Sequence, residues 1–561
     1  MTSHSADSDQ VLVARSMSVL GVLLGAFLAL RVFSPIIVFD ELSYHIGAVE
    51  FKRWDHWTTL APVIPQINNF LYLRILNLLY STGMQLDIAA KLLNVGAFVG
   101  AVVALFRIIF ERRENQKLLA AALITMPLIT YVSYIMPEMA YLFIFALICI
   151  FLHRFHPVDR LSHQATLALL FSALCLIKPH GAMLFGGFIL SIITYRLIFE
   201  RAQWTSLLSP VAKQVTLFVA AFFALKFLFA PKLVSADASA VGPFYLELFR
   251  NAVPTSVKLK AFAYLLLCYS MYFMFLFAPF VFLLVRYLRQ QSSYTSSSQT
   301  PSDGRRTFLT VFALVSLLIV TVSICYLLSI EPDRIHFRYL NFVFPIIVIL
   351  AVQTRPPEIS SLFAASIAAC WIIAAVFVWL TFDEFRFLAA DSPELFMFYA
   401  QKEFGAVSPS WLRTAVVCIP IAASVAILFF RDKLVTISLV TVMAFSSVGL
   451  WNSAKVQRVM SQSSLINGFR QIGDVAKLVC HPNSSIIAAG TAQTFVPLIY
   501  SVFRIGVAMP FRVLSNVQLA EVVDKAADGT CVLTTDELVS PRLQPIHSVS
   551  LIKLYRVMGP R

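Results

Sequence analysis

The run Thr307 to Ser329, "TFLTVFALVSLLIVTVSICYLLS", contains no charged residue, and Leu362 to Thr381 repeats the pattern. Apolar segments of this length constrain a chain more than any other feature. A bilayer core roughly 30 Å thick takes about 20 apolar residues as one helix, because lipid offers the backbone no hydrogen-bond partner. Composition extends the point to the whole chain: its 561 residues are 59% hydrophobic and 13% charged, with a mean hydropathy of +0.78. Soluble domains are usually about 25% charged. The chain is therefore a polytopic α-helical membrane protein.

Such runs predict about thirteen spans, near 14–37, 88–110, 118–135, 139–152, 164–177, 182–198, 213–230, 261–285, 307–329, 340–354, 362–381, 412–430 and 433–451. "MPEM" at 136–139 and "KPHG" at 178–181 interrupt apolar sequence and read as turns at a bilayer face. With the N-terminus cytoplasmic, one set of short loops is basic ("RIIFERRENQK", "HRFHPVDR", "QTRPPE", "RDK"), as expected on the cytoplasmic side. An odd number of spans then leaves the C-terminal region outside. The first apolar run has no basic flank or cleavage site before or close behind it and reads as a retained span.

Two domains are expected. Residues 1–451 form the transmembrane domain. Residues 452–561 form a small α/β domain, with strands at "SSIIAAG", "TCVLTTDEL" and "SVSLIKLYRV" and a helix at "VQLAEVVDKAAD". Six cysteines, 149, 175, 268, 325, 370 and 418, fall in apolar spans at no metal-ligand spacing and read as core residues. Cys480 and Cys531 lie in the outer region, where oxidising conditions permit a disulfide; spacing alone does not decide the pairing. The formal charge of +14 is spread over loops. Membrane lipid headgroups or a phosphate-bearing substrate explain it without nucleic acid.

Polar residues collect at the outer ends of spans. "VFDELSYHIGAVEFKRW" follows the first run and places Asp40 and Glu41 where water meets lipid. In a helix Asp40 aligns with Tyr44 and Glu41 with His45. A juxtamembrane cap with Trp54 and Trp57 in the aromatic belt is the plain alternative. On the same side lie Glu138 in "MPEM", Lys178 and His180 in "KPHG", and Arg334 and Arg338 in "SIEPDRIHFRYLNFVFP". Acids and bases facing one compartment suit transfer of a sugar from a phosphate carrier to a hydroxyl. That reaction needs a base near the acceptor and cations on the departing phosphate. Asp40 is the candidate base, and Glu138 a second acid that orients the acceptor or, with Asp40, holds a divalent metal if one takes part. Lys178, His180, Arg334 and Arg338 are candidates for the phosphate.

At these residues the sequence resembles the GT-C superfamily of membrane glycosyltransferases. Within it the nearest group holds the protein O-mannosyltransferases, the lipid A aminoarabinose transferases and RgtA-like members. The "DELSYHI" loop carries the resemblance, with an acid at the next outer turn and the Arg-Tyr-Leu cluster of "FRYL". It implies a polyprenyl-phosphate-linked sugar as donor and a lipid A or lipopolysaccharide, polysaccharide or protein acceptor. It also implies inverting transfer, and an active site on the periplasmic face of a bacterial inner membrane. Matched position by position, the first-loop acid falls on Asp40 with Glu41 beside it and the second-loop acid on Glu138, where the family often has Asp. The carrier-facing base falls on Arg338. A transporter or flippase of lipid-linked glycans is the competing reading; it would place ionisable groups near the membrane midplane.

Overall fold

The computed structural model describes residues 69–84, 86–109, 126–155, 160–230, 255–293, 301–330, 332–354, 359–385, 410–461, 486–489, 511–514, 523–534, 540–549 and 552–559, with isolated positions such as 44, 47, 48, 51 and 392 and parts of 471–480. The expected span at 14–37, with Asp40, Glu41, His45, Trp54 and Trp57, lies outside them.

Helices dominate. In chain order they are α1 (Phe70–Ser81), α2 (Leu86–Ile109), α3 (Glu138–Arg154), α4 (Leu161–Ile177), α5 (Gly181–Ile198), α6 (Thr205–Phe229), α7 (Ser256–Ser293), α8 (Pro301–Leu327), α9 (Phe344–Gln353), α10 (Ser361–Thr381), α11 (Ser410–Phe429) and α12 (Leu434–Ser461). Seven described helices are long and apolar enough to cross a membrane, and four shorter apolar helices accompany them. The helix α7, at 38 residues, is about 57 Å long at 1.5 Å per residue and extends beyond a bilayer core. Its Pro279 sits inside the helix.

Close packing depends on small residues where backbones meet. A Cβ added at Gly187 of α5 would lie 3.0 Å from Ser316 Cα of α8, so these two helices approach as only glycine allows. Between α10 and α7, Trp371 donates its indole N–H to the Phe275 carbonyl at 2.7 Å. The Gln353 amide at the end of α9 donates to the Ile108 carbonyl of α2. By contrast α6 buries only Leu207 and Gln214, so its apolar surface faces outward, as a lipid-facing helix does. Cys149, Cys175, Cys268 and Cys325 are core residues, but Cys418 is exposed on α11. The spacing of a thiol in an apolar run does not tell which face it occupies.

Three departures from the expected spans matter for the site. Within 118–135 the chain is not one α-helix: Pro127–Ser133 winds as a tight 3-10 segment, with Pro127 at its start and Tyr134 extended after it. The span expected from Leu340 begins only at Phe344, because Pro345 sits in the first helical turn and residues 340–343 form the turn before it. The helix α1 is one the apolar runs do not reveal, since Arg74 and Asn77 interrupt it. Its buried Phe70, Leu73, Leu76 and Asn77 carry the helical spacing that could have found it.

The C-terminal part is a five-stranded sheet of β1 (Ile486–Ala489), β2 (Phe511–Leu514), β3 (Cys531–Thr534), β4 (Leu543–Val549) and β5 (Ile552–Val557), in the order β2-β1-β3-β5-β4. The strand β1 pairs parallel with β2 and β3, and β5 pairs antiparallel with β3 and β4. Two of these strands were not expected. In β4 a proline, Pro545, breaks the usual strand pattern, and the strand accommodates it at the sheet edge next to a bulge. Ile487, Val523, Val532, Tyr555 and Val557 form the small core. Cys480 and Cys531 are joined by a disulfide, with Cα atoms 5.9 Å apart.

Candidate active site

Three breaks in the apolar sequence converge. The first is the turn before α3, where Pro137 caps the helix and Glu138 is its first residue. A carboxylate there meets the positive end of the helix dipole. The second is "KPHG". Lys178 is extended, as a residue before proline must be, and donates its N–H to the Leu174 carbonyl at 2.9 Å, closing α4. A Cβ at Gly181 would stand 2.6 Å from the backbone nitrogen of Cys175, so glycine alone lets α5 start against the end of α4. That tight reversal holds Lys178 and His180 side by side.

The third break is the segment 335–343. The His336 N–H donates to the Tyr269 hydroxyl of α7 at 2.7 Å, and the Phe337 N–H to Ser392 Oγ at 3.1 Å. The Phe337 ring stacks on Tyr269 with centroids 5.5 Å apart. Thus anchored, the 3-10 turn Phe337–Tyr339 turns Arg338 and Tyr339 toward the other two breaks. Asn341 donates to the Tyr131 hydroxyl of the 3-10 segment at 3.3 Å, and Phe342 packs edge-on against Tyr141 of α3 at 4.8 Å.

At the meeting point Lys178 Nζ lies 2.8 Å from Glu138 Oε1, with side-chain exposures of 8% and 6%. Tyr339 is the hub. His180 stacks on its ring at 4.1 Å, Lys178 Nζ sits 4.7 Å and Arg338 Cζ 5.0 Å from the ring centroid, and Arg338 Nη2 donates to its hydroxyl at 3.0 Å. Cations over an aromatic face are favoured by its quadrupole. Burial, then the charges of Lys178 and Arg338 and the neighbouring His336, hold His180 well below its ordinary pKa, so its ring is neutral. Glu138, Lys178, His180, Arg338 and Tyr339 line a cavity with Asn341. A second, apolar cavity shares Leu128 with it and is lined by Phe277, Phe344 and Phe445 among others.

Glu138, Lys178, His180 and Arg338 are thus brought together. Arg334 does not line the cavity. Tyr44 is buried elsewhere: its hydroxyl accepts from Asn69 at 3.0 Å and its ring meets Tyr72 edge-on. Tyr44 and Ala48 are helical, and the Ala48 carbonyl accepts from Asn77 of α1 at 2.8 Å. Of the two acids expected to hold a metal, Asp40 lies outside the described residues and Glu138 gives one oxygen to Lys178. Among the described residues no group of three or more His, Cys, Asp or Glu could hold a metal ion. Tyr339 and Asn341 carry no charge and so do not stand out among the charged clusters of the sequence. Their signal was present in "FRYLN", where an aromatic ring and an amide flank the arginine.

Neither a protein-family model nor any curated protein matches this sequence. Among solved structures, ArnT from Cupriavidus metallidurans bound to undecaprenyl phosphate matches with a TM-score of 0.53 and 12% identity, over 98% of this chain and 99% of that one. The same ArnT in the apo state aligns over the full length of both chains with a TM-score of 0.49 and 12% identity. Over nearly its whole length, then, this chain shares the fold of that ArnT structure.

Proposed function

We propose that this protein is a glycosyltransferase that moves a sugar from a polyprenyl-phosphate carrier to an acceptor hydroxyl, at the periplasmic face of a bacterial inner membrane. The observation that carries this reading is the buried cavity in which Lys178, Arg338 and a neutral His180 surround Tyr339, in a fold shared with a protein that was crystallised with undecaprenyl phosphate. Two basic side chains in a low-dielectric site suit a phosphate. Arg338 offers a planar fork and Lys178 a point charge, and a neutral imidazole can donate one hydrogen bond without repelling either cation. The adjoining apolar cavity suits the first isoprene units of a lipid tail.

In this mechanism Asp40 takes the proton of the acceptor hydroxyl, whose oxygen attacks the anomeric carbon from the face opposite the phosphate. The new C–O bond forms as the bond to the phosphate oxygen breaks, with inversion. The electron pair leaves on polyprenyl phosphate, whose extra negative charge falls beside Lys178 and Arg338. Glu41, beside Asp40 in the sequence, supports the base. The Cys480–Cys531 disulfide supports an oxidising compartment for the C-terminal domain.

The test is purified protein in nanodiscs, supplied with a set of polyprenyl-phosphate sugars and acceptors, with release of bare polyprenyl phosphate as the readout. Release that falls by about 10²- to 10⁴-fold in Asp40→Asn, with carrier binding retained, supports the transferase and its base. Passage of the intact lipid-linked glycan across the bilayer without release replaces it with the transporter reading.

A further inference from the structure

We infer that the Glu138 carboxylate and the Asn341 carboxamide form a sugar-reading wall that accepts hydrogen bonds from hydroxyl groups of the carried monosaccharide. This inference rests on the transferase reading and assigns the part of the same cavity that the phosphate would not fill.

Glu138 is 7% exposed and Asn341 1%, and both line the cavity. Each uses one end of its polar group on the protein. Glu138 Oε1 receives the Lys178 ammonium, and Asn341 Nδ2 donates to Tyr131. The other ends, Glu138 Oε2 and Asn341 Oδ1, are buried and have no hydrogen-bond partner among the described residues. A buried polar atom left unsatisfied costs about 1–3 kcal/mol, more when charged, so two acceptors at one cavity call for donors from outside the protein. The elements that carry them are in direct contact, since Tyr141, one turn after Glu138, packs on Phe342, the neighbour of Asn341. Both line that one cavity, so one ligand can meet both.

The chemistry of the missing partner follows. A phosphodiester has no proton to donate at neutral pH and would be repelled by the Glu138 carboxylate, so these two groups do not read the phosphate. An isoprenoid tail has no donor either. The sugar is the donor-rich part of a polyprenyl-phosphate glycoside. Lys178 then marks the boundary, touching the carboxylate on the sugar side while its charge and that of Arg338 serve the phosphate. A site built to pair with a hydroxyl rejects the analogue that lacks it, because the buried acceptor is stranded.

The experiment uses the full-length protein in nanodiscs and measures affinity for bare polyprenyl phosphate, for polyprenyl-phosphate hexoses, and for the same glycosides with single ring hydroxyls replaced by hydrogen. At least one deoxygenation is expected to weaken wild-type binding about 10- to 100-fold. In Glu138→Gln the amide oxygen must face Lys178, which replaces a charged acceptor by a neutral amide N–H on the sugar side. That variant should therefore lose about 10-fold in its affinity for the parent glycoside relative to bare polyprenyl phosphate, and its penalty for that deoxygenation should shrink. Asn341→Ala should show the same pattern at a second hydroxyl, and the wild-type deoxy series needs no variant to fold. The inference is overturned if every deoxy glycoside binds wild type like its parent, or if Glu138→Gln weakens bare and glycosylated carrier equally. If wild type binds neither form of carrier, the transferase reading falls and takes this inference with it.

Discussion

Lys178 and Glu138, residues 40 apart in sequence, form a buried ion pair at 2.8 Å between the start of α3 and the turn that joins α4 to α5. Each therefore offsets the other's charge before any substrate arrives. Removing one member leaves a buried charge uncompensated, which typically costs about 3–5 kcal/mol, whereas replacing both by neutral groups of similar size costs far less. Lys178→Met should lower the thermal midpoint in nanodiscs more than the double variant Lys178→Met with Glu138→Gln. Equal losses in the two would show that the pair is screened by water.

Tyr339 touches both cations and His180. Tyr339→Leu removes the ring and should weaken polyprenyl phosphate binding about 10-fold or more, from two cation contacts of about 1 kcal/mol each together with the lost stacking. Tyr339→Phe keeps the ring and loses the hydrogen bond from Arg338, so its loss should stay within about 10-fold. Titration of carrier into the three proteins separates ring from hydroxyl; an equal loss in both variants would assign the effect to the hydroxyl.

His180 has a pKa well below its ordinary value, through burial and then through Lys178, Arg338 and His336. In the unfolded chain it titrates near pH 6.5. The unfolded state thus binds more protons below that pH, so stability falls as pH drops from about 6.5 and is independent of this residue above it. His180→Gln cannot titrate and should show a shallower fall of the thermal midpoint between pH 7 and 5 than wild type. Parallel slopes for the two proteins would remove His180 from the linkage.

The disulfide between Cys480 and Cys531 closes a loop of sequence separation 51. Loop-closure entropy puts its contribution at about 4 kcal/mol. Cys531→Ser should make the C-terminal sheet susceptible to limited proteolysis while α2 to α12 stay protected. Non-reducing peptide mapping of wild type should recover the two cysteines as one linked species; recovery as two free thiols would contradict the pairing.

Some of this protein is legible in its residues alone. Because lipid forces each spanning backbone to bond within its own helix, apolar length translates directly into α2, α5, α7, α8, α10 and α12. For the same reason the breaks at "MPEM", "KPHG" and "FRYLN" stand out, with Glu138, Lys178, His180 and Arg338 in them. Local pattern carries less where proline acts through geometry, as at the 3-10 segment after Pro127, or where a strand sits at an edge, as β4 does with Pro545.

Which breaks meet, and what they do to one another, is set by long-range packing. Asn341 and Tyr131 are 210 residues apart and share a hydrogen bond; no periodicity within either segment encodes that. The sequence set Lys178 aside for a phosphate and Glu138 for a metal or an acceptor, and packing joined them to each other. It also placed Tyr339, an ordinary aromatic in the linear text, under two cations and a histidine. The physical reason is range: helix formation in lipid is decided within a turn or two of backbone, whereas the charge, burial and partner of a site residue are set by neighbours that only the folded chain brings within a few ångströms.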